Sequence, residues 1–215
     1  MPKERMTTVS KTNNEEEIEV KFYIRSPQRL HQRLLVLGAE EVRPRGYELN
    51  LRFDYPDRRL TREHRVLRLR RDVKAMLTYK GPAQPDLPVS TRREIEVEVD
   101  DFDVARHLLE ALGLEVSVIY EKWRTTYRLG AAEVVIDEMP YGIFCEIEGP
   151  DAATIETTAR RLGLNWDTRV RQSYLALFET VKRALRIESP HLTFEAFSGV
   201  KVMPEDLGVR VADEE

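Results

Sequence analysis

Three features of the 215-residue sequence predict an α+β fold of about eight antiparallel strands, able to close into a barrel and flanked by amphipathic helices. Charged and apolar residues alternate in runs around residues 15–24, 47–55, 65–71, 75–80, 91–99, 118–128, 133–138 and 143–149, the period that sends successive strand side chains to opposite faces. Four other segments carry helical spacing and helix-end signals. An acidic strand leading into a helix occurs three times, as EIEVK at 17–21, EIEVE at 94–98 and EIE at 146–148. No βαβ rhythm runs through the chain and hairpin-like pairs dominate, which disfavours a parallel sheet.

Taken in order, residues 1–14 are polar and unpatterned and read as a flexible arm, so regular structure is expected from Glu15. The first helix is predicted over 27–37, with Ser26 as N-cap and Pro27 at the first helical position. A second follows the Asp100/Asp101 pair over 102–112, and a third follows Asp151 over 152–162. The fourth, over 170–185, places Val170, Tyr174, Leu177, Val181 and Leu185 on one stripe. Gly38, Gly113 and Gly163 stand where helices commonly end in a left-handed residue. One domain is expected over 15–185, with an acidic tail over 186–215 that is loosely ordered or docked as a short segment.

Composition narrows the function classes. The chain is 41% hydrophobic and 33% charged, ordinary for a soluble globular protein. Its longest apolar runs, such as Leu34 to Leu37, fall far short of a membrane span, and MPKERMTTVS has no signal core, so a cytoplasmic location is expected. The net charge of −4 arises in the tail, where Arg186, Lys201 and Arg210 face seven acidic residues; residues 1–185 carry 31 charges of each sign. That balance argues against nucleic acid as a partner, because a counterion-displacing surface needs cationic excess. A single cysteine, Cys145, excludes an internal disulfide and any multi-cysteine zinc site, and the alternation puts it on an apolar face as a packed thiol. His31, His64, His107 and His191 show no metal or catalytic spacing, and no P-loop, GxGxxG or GxSxG occurs. Any metal must therefore sit on oxygen ligands.

The charged strand faces carry the chemistry. Glu17, Glu19 and Lys21 leave one face of their strand while Ile18, Val20 and Phe22 leave the other. Arg68 and Arg70 share a face in the same way, as do Thr78 with Lys80 and Arg92 with Glu94, Glu96 and Glu98. Lys122, Arg124, Thr126 and Arg128 form another such set, as do Glu146 and Glu148. Either these faces are the solvated sides of half-buried strands, or they converge inside a barrel whose apolar outside is covered by helices. Convergence would gather Glu17, Glu19, Asp137, Glu146 and Glu148 into an oxygen set suited to Mg²⁺ or Mn²⁺. It would bring Lys21, Arg68, Arg70, Lys80, Arg92, Lys122 and Arg124 together as phosphate-binding cations. Metal plus many cations implies a polyphosphate chain.

In their order along the chain, these motifs resemble the CYTH superfamily, the triphosphate tunnel metalloenzymes named for class IV adenylyl cyclases and thiamine triphosphatases. The resemblance is carried by Glu17-Ile-Glu19-Val-Lys21, RFDYP at 52–56, LRLR at 67–70, LTYKGP at 77–82 and RREIEVE at 92–98. It continues through EKWR at 121–124, IDEMPYGIFCEIEG at 136–149 and QSYLALF at 172–178. It implies an eight-stranded antiparallel tunnel that binds a triphosphate group with Mg²⁺ or Mn²⁺. The family's metal positions map onto Glu17, Glu19, Asp137, Glu146 and Glu148, and its phosphate positions onto Lys21, Arg68, Arg70, Lys80, Arg92, Lys122 and Arg124. Glu17, Glu19 and Lys21 become the catalytic candidates, and Glu94 and Glu96 supporting acids that hold the cations or contribute to a second metal. Trp123 stands where a basic residue is common, and its parity turns it outward.

The expected ligand is a triphosphate-containing small molecule such as ATP, thiamine triphosphate or tripolyphosphate, with a homodimer left open. Hydrolysis leads, and cyclisation of ATP to cyclic AMP and pyrophosphate is the close rival. A non-catalytic polyphosphate or nucleotide sensor and an open sheet with solvated charges remain as readings of other classes.

Overall fold

A computed structural model describes residues 16–82 and 90–213; the side chains of Glu16, Glu17, Ser90 and Thr91 lie outside that description, as does the expected arm over 1–14. The strands are β1 (Glu16–Ile24), β2 (Glu40–Asp54), β3 (Val66–Arg71), β4 (Ala75–Lys80), β5 (Ser90–Val99), β6 (Glu115–Leu129), β7 (Ala132–Met139) and β8 (Gly142–Glu148). They pair antiparallel in the order β1-β5-β4-β3-β2-β6-β7-β8, and β8 pairs back onto β1, so the sheet closes into a barrel whose shortest pairing among the described residues is between β1 and β5. In an eight-strand ring of this order, β1 and β2 face one another across the lumen. The segment Glu40–Gly46 is strand rather than loop: Pro44 and Gly46 break its alternation, and its register against β6 shifts there.

Four helices longer than one turn sit outside or beneath the barrel: α1 (Pro27–Val36), α3 (Phe102–Ala111), α4 (Ala152–Leu162) and α5 (Tyr174–Leu185); α2 (Arg59–Arg62) and α6 (Pro204–Leu207) are single turns. Ser26, Asp101, Asp151 and Ser173 each accept a hydrogen bond from a first-turn backbone amide, satisfying donors that a helix start leaves open. The Ser173 cap starts α5 at Tyr174, because Val170 is engaged in a backbone bridge to Lys21.

The burial pattern decides between the two readings of the charged faces. Val20, Phe22, Ile24, Ile136, Cys145 and Ile147 point outward and pack with Leu30 and Leu34 of α1 and Ile155 and Ala159 of α4. Leu51, Phe53 and Leu69 pack outward against Phe102 and Leu109 of α3. The charged faces therefore line the lumen.

A third apolar cluster plugs one barrel end. Inward-facing Tyr23, Tyr120 and Phe144 meet Leu177 and Phe178 of α5 and Leu192, Phe197 and Leu207 of the C-terminal segment. That segment is strapped to the barrel by backbone pairing of Tyr120 with Leu192 and of Tyr23 with Val211, and the Asp213 carboxylate accepts from the amides of Arg25 and Ser26. The sequence does not signal this docking, because LTFEAFSGVKV has neither period. Gly142 is required beside the plug: its φ is +152°, and a Cβ there would lie 2.6 Å from the Tyr23 ring. No helix is long and apolar enough to cross a membrane among the described residues.

Candidate active site

Beyond the plug the lumen is polar. Register places Lys21 opposite Glu146, Arg124 opposite Asp137 and Glu48 opposite Lys122, so cation and carboxylate alternate around one half of the ring. Lys21 Nζ lies 2.7 Å from Glu146 Oε1, and Arg124 Nη2 lies 2.5 Å from Asp137 Oδ2 and 2.7 Å from Glu146 Oε2. Lys122 Nζ donates to Asp137 Oδ2 at 3.0 Å and stands 3.4 Å from Glu48 Oε2. Tyr174, the first residue of α5, donates its hydroxyl to Asp137 at 2.9 Å, and its ring lies under the Lys21 ammonium at 4.4 Å. One helix start thus closes the lumen floor and holds the network.

The electrostatics follow from this packing. Burial alone would raise the Glu48 carboxyl, but Lys122, Arg124, Arg70 and Arg68 together pull it down to about 2. Burial opposes the Glu146 anion in the same way, and Lys21, Arg124 and Lys122 outweigh it, holding this carboxyl well below the usual range. The Tyr120 phenol is lowered despite burial by Arg68, Lys122 and Arg52. Burial pushes the Cys145 thiol well up, in keeping with a packed, outward residue.

The opposite wall is less completely paired. Asn50 faces Arg70 across β2/β3 and Tyr120 across β2/β6, and Arg52 faces Arg68. Arg70 has only long contacts, 3.9 Å to Glu48 and 3.8 Å to Asp72. Arg68 reaches Thr78 at 3.2 Å, Tyr120 at 3.5 Å and Glu96 at 3.8 Å. The Nε atoms of Arg52, Arg68 and Arg70 are buried without a hydrogen-bond partner among the described residues. Burial, with Arg68 and Arg92 beside it, lowers the Arg52 guanidinium. Such a wall is poised to accept anionic oxygens.

The predicted site residues thus fall into groups. Lys21, Lys122, Arg124, Asp137 and Glu146 form one continuous ion-pair network; Arg68 and Arg70 line the facing wall. Lys80 pairs with Glu94 at 3.0 Å, and Glu96 accepts from Thr78 at 2.7 Å, so the two supporting acids hold lumen residues. Arg92 stands opposite Glu17 in the β1/β5 register, and the Glu17 side chain lies outside the described residues. Glu19 and Glu148 are directly opposed across β1/β8, toward the end away from the plug. The sequence reading singled out neither Glu48, Asn50 nor Tyr120. The period-2 alternation of GYELNLRFD already placed Glu48, Asn50 and Arg52 on one face, and that was the available signal.

The donor chemistry fits a divalent cation of the Mg²⁺ type, which is commonly held by one or two carboxylates together with substrate phosphates. Glu19 and Glu148 supply an opposed oxygen pair. No group of three or more His, Cys, Asp or Glu side chains is arranged to hold a metal by itself among the described residues. Asp137 and Glu146 contact lysine, arginine and tyrosine side chains.

Comparison with known proteins agrees with this geometry. The CYTH domain model matches residues 15–174. A Methanocaldococcus jannaschii protein named as a candidate adenylate cyclase is 28% identical over 172 residues, covering 75% of this chain and 97% of the relative. A Pyrococcus horikoshii structure, named only as protein PH1819, superposes with a TM-score of 0.64 at 28% identity, covering 76% of this chain and 98% of that one. At 19% identity, a Hippeastrum protein described as a candidate adenylyl cyclase with dominant triphosphatase activity shares the fold, with a TM-score of 0.56 over 90% of this chain and all of that one.

Proposed function

The chain belongs to the CYTH family, and from that premise we propose that it is a divalent-metal-dependent enzyme that hydrolyses the triphosphate chain of a nucleoside, organic or inorganic triphosphate inside its barrel. The observation that carries this reading is the buried cationic wall of Arg52, Arg68 and Arg70, whose Nε atoms lack partners, facing a lumen otherwise filled with ion pairs. A linear polyanion would satisfy those donors and neutralise the wall at once.

Phosphoryl transfer asks a protein chiefly for positioning and charge stabilisation. Arg68 and Arg70 bind phosphoryl oxygens through their guanidinium edges, and Lys80, Arg92, Lys122 and Arg124 complete the cationic path. Lys21 contributes a point charge from the β1 wall. Glu146 and Asp137 keep Lys21, Lys122 and Arg124 extended into the lumen rather than folded onto solvent. Mg²⁺ or Mn²⁺ held by Glu19 and Glu148 would supply Lewis-acid stabilisation of the phosphate charge. The plug excludes water from one end of the lumen, so the reacting phosphate enters from the other.

Cyclisation of ATP is the second reading, and the name of the Methanocaldococcus jannaschii relative favours it. The two reactions share metal and phosphate ligands and differ in the attacking oxygen and in the phosphorus attacked. The test is incubation of purified protein with ATP, thiamine triphosphate and tripolyphosphate, each with Mg²⁺ and with Mn²⁺, assaying phosphate, pyrophosphate and cyclic AMP together. Phosphate release without cyclic AMP is the expected result. Cyclic AMP with stoichiometric pyrophosphate would replace hydrolysis by cyclisation, and no turnover with strong tripolyphosphate binding would make the protein a sensor.

A further inference from the structure

The side chain of Asn50 is fully buried in the lumen wall, and neither its Oδ1 nor its Nδ2 has a hydrogen-bond partner among the described residues. A buried amide with both ends open costs free energy, and an apolar residue of the same shape would remove that cost. Nor is the amide isolated from other open groups. Its cross-strand neighbour Arg70 has a buried Nε without a partner, and so does Arg52 two residues along the same face. On its other side stands Tyr120, whose hydroxyl contacts the Arg68 guanidinium at 3.5 Å. Several unpartnered polar groups thus stand as neighbours on this wall, across the barrel from the strand that carries Glu19 and Lys21.

We propose that Asn50 is a substrate-contacting residue, whose Nδ2 donates to a nonbridging phosphoryl oxygen while the neighbouring Arg70 and Arg52 Nε groups bind the same phosphate chain. This rests on the triphosphate reading above and deepens it, adding to the cationic wall a neutral donor that fixes where along β2 a phosphoryl group stops. A lysine or arginine attracts phosphate at any nearby position, whereas a short amide donates only along a narrow direction. Asn50 therefore sets the register of the chain in the lumen.

The experiment compares wild type, N50L and N50D for thermal melting without ligand and for affinity toward inorganic tripolyphosphate with Mg²⁺ by calorimetry. N50L removes both open amide groups while keeping the branching and the number of side-chain heavy atoms, so it is expected to melt at or above the wild-type temperature while binding tripolyphosphate roughly tenfold more weakly, the loss of one hydrogen bond to a charged group. N50D places a carboxylate among Arg52, Arg68 and Arg70, and is expected to keep the fold and lose more affinity than N50L. Wild-type affinity in N50L overturns the proposal. So does an N50L that melts well below wild type while N50D binds as wild type does, since Asn50 would then be a structural amide. Should N50L fail to fold, N50D with undiminished affinity overturns the proposal by itself. A wild-type protein that does not bind tripolyphosphate at all overturns the triphosphate reading, and this inference falls with it.

Discussion

The two halves of the lumen are built on opposite principles. Along β6, β7, β8 and β1, each buried charge meets its complement: Lys21 with Glu146, Arg124 with both Glu146 and Asp137, and Lys122 with Asp137. Along β2 and β3, Asn50, Arg52, Arg68 and Arg70 retain open donors or contacts of 3.8 Å and longer. Pairing repays desolvation, so the first half is self-sufficient and rigid; the second half is satisfied only when something anionic occupies it. Charge count alone does not distinguish the two, and partnership does.

The comparison is most severely tested at Asp137, which is fully buried and holds Lys122, Arg124 and Tyr174. Asp137→Asn leaves those cations facing a neutral amide, and is expected to lower unfolding stability by about 3–5 kcal/mol and abolish turnover. Denaturant melts read the first effect and phosphate release the second. Arg70→Ala on the open wall should do the reverse, changing stability by under about 1 kcal/mol while weakening tripolyphosphate binding by about 1.5–3 kcal/mol, more than it weakens pyrophosphate binding. Equal losses for the two ligands would mean that Arg70 does not reach the terminal phosphate.

The buried lumen carboxylates also fix a pH dependence. Glu48, lowered to about 2, and Glu146, held well below the usual carboxylate range, bind protons more readily when unfolded than when folded. Their contribution is therefore full above the ordinary glutamate pKa of about 4.3 and is lost as pH falls below it, for Glu48 toward about 2. Acid titration of the melting temperature should fall through that window, and Glu48→Gln should flatten part of the slope. The smallest effect belongs to exposed ion pairs such as Arg160–Glu156 on α4, where Arg160→Ala is expected to change stability by less than about 0.5 kcal/mol.

Much of this was legible in the sequence. Parity alone put Lys21, Arg70, Lys122, Arg124 and Glu146 on charged faces, and the helix caps at Ser26, Asp101 and Asp151 were readable from residue type and spacing. Parity says which face a residue occupies, but not what stands across from it. The ion pairs of Asp137 and Glu146 were not legible, because their cationic partners come from β6 and β1 through a register that no local pattern encodes. Asn50 looked unremarkable for the same reason, since its open amide is a property of Arg70 and Tyr120 failing to meet it. Tyr174 read as core packing, and its hydroxyl reaches Asp137 only because Ser173 starts the helix at that residue. The docked C-terminal segment depends on single side chains, Leu192, Phe197 and Leu207, entering a barrel end that exists only after all eight strands have closed.

Calorimetric titration of wild type and Arg70→Ala with inorganic tripolyphosphate, in Mg²⁺ and again after chelation, tests most directly whether the open wall exists to hold a phosphate chain. The account predicts one site per chain in Mg²⁺, weakened by chelation, by rising salt and by Arg70→Ala. Binding with wild-type affinity in Arg70→Ala, or no binding in wild type under either condition, would contradict it.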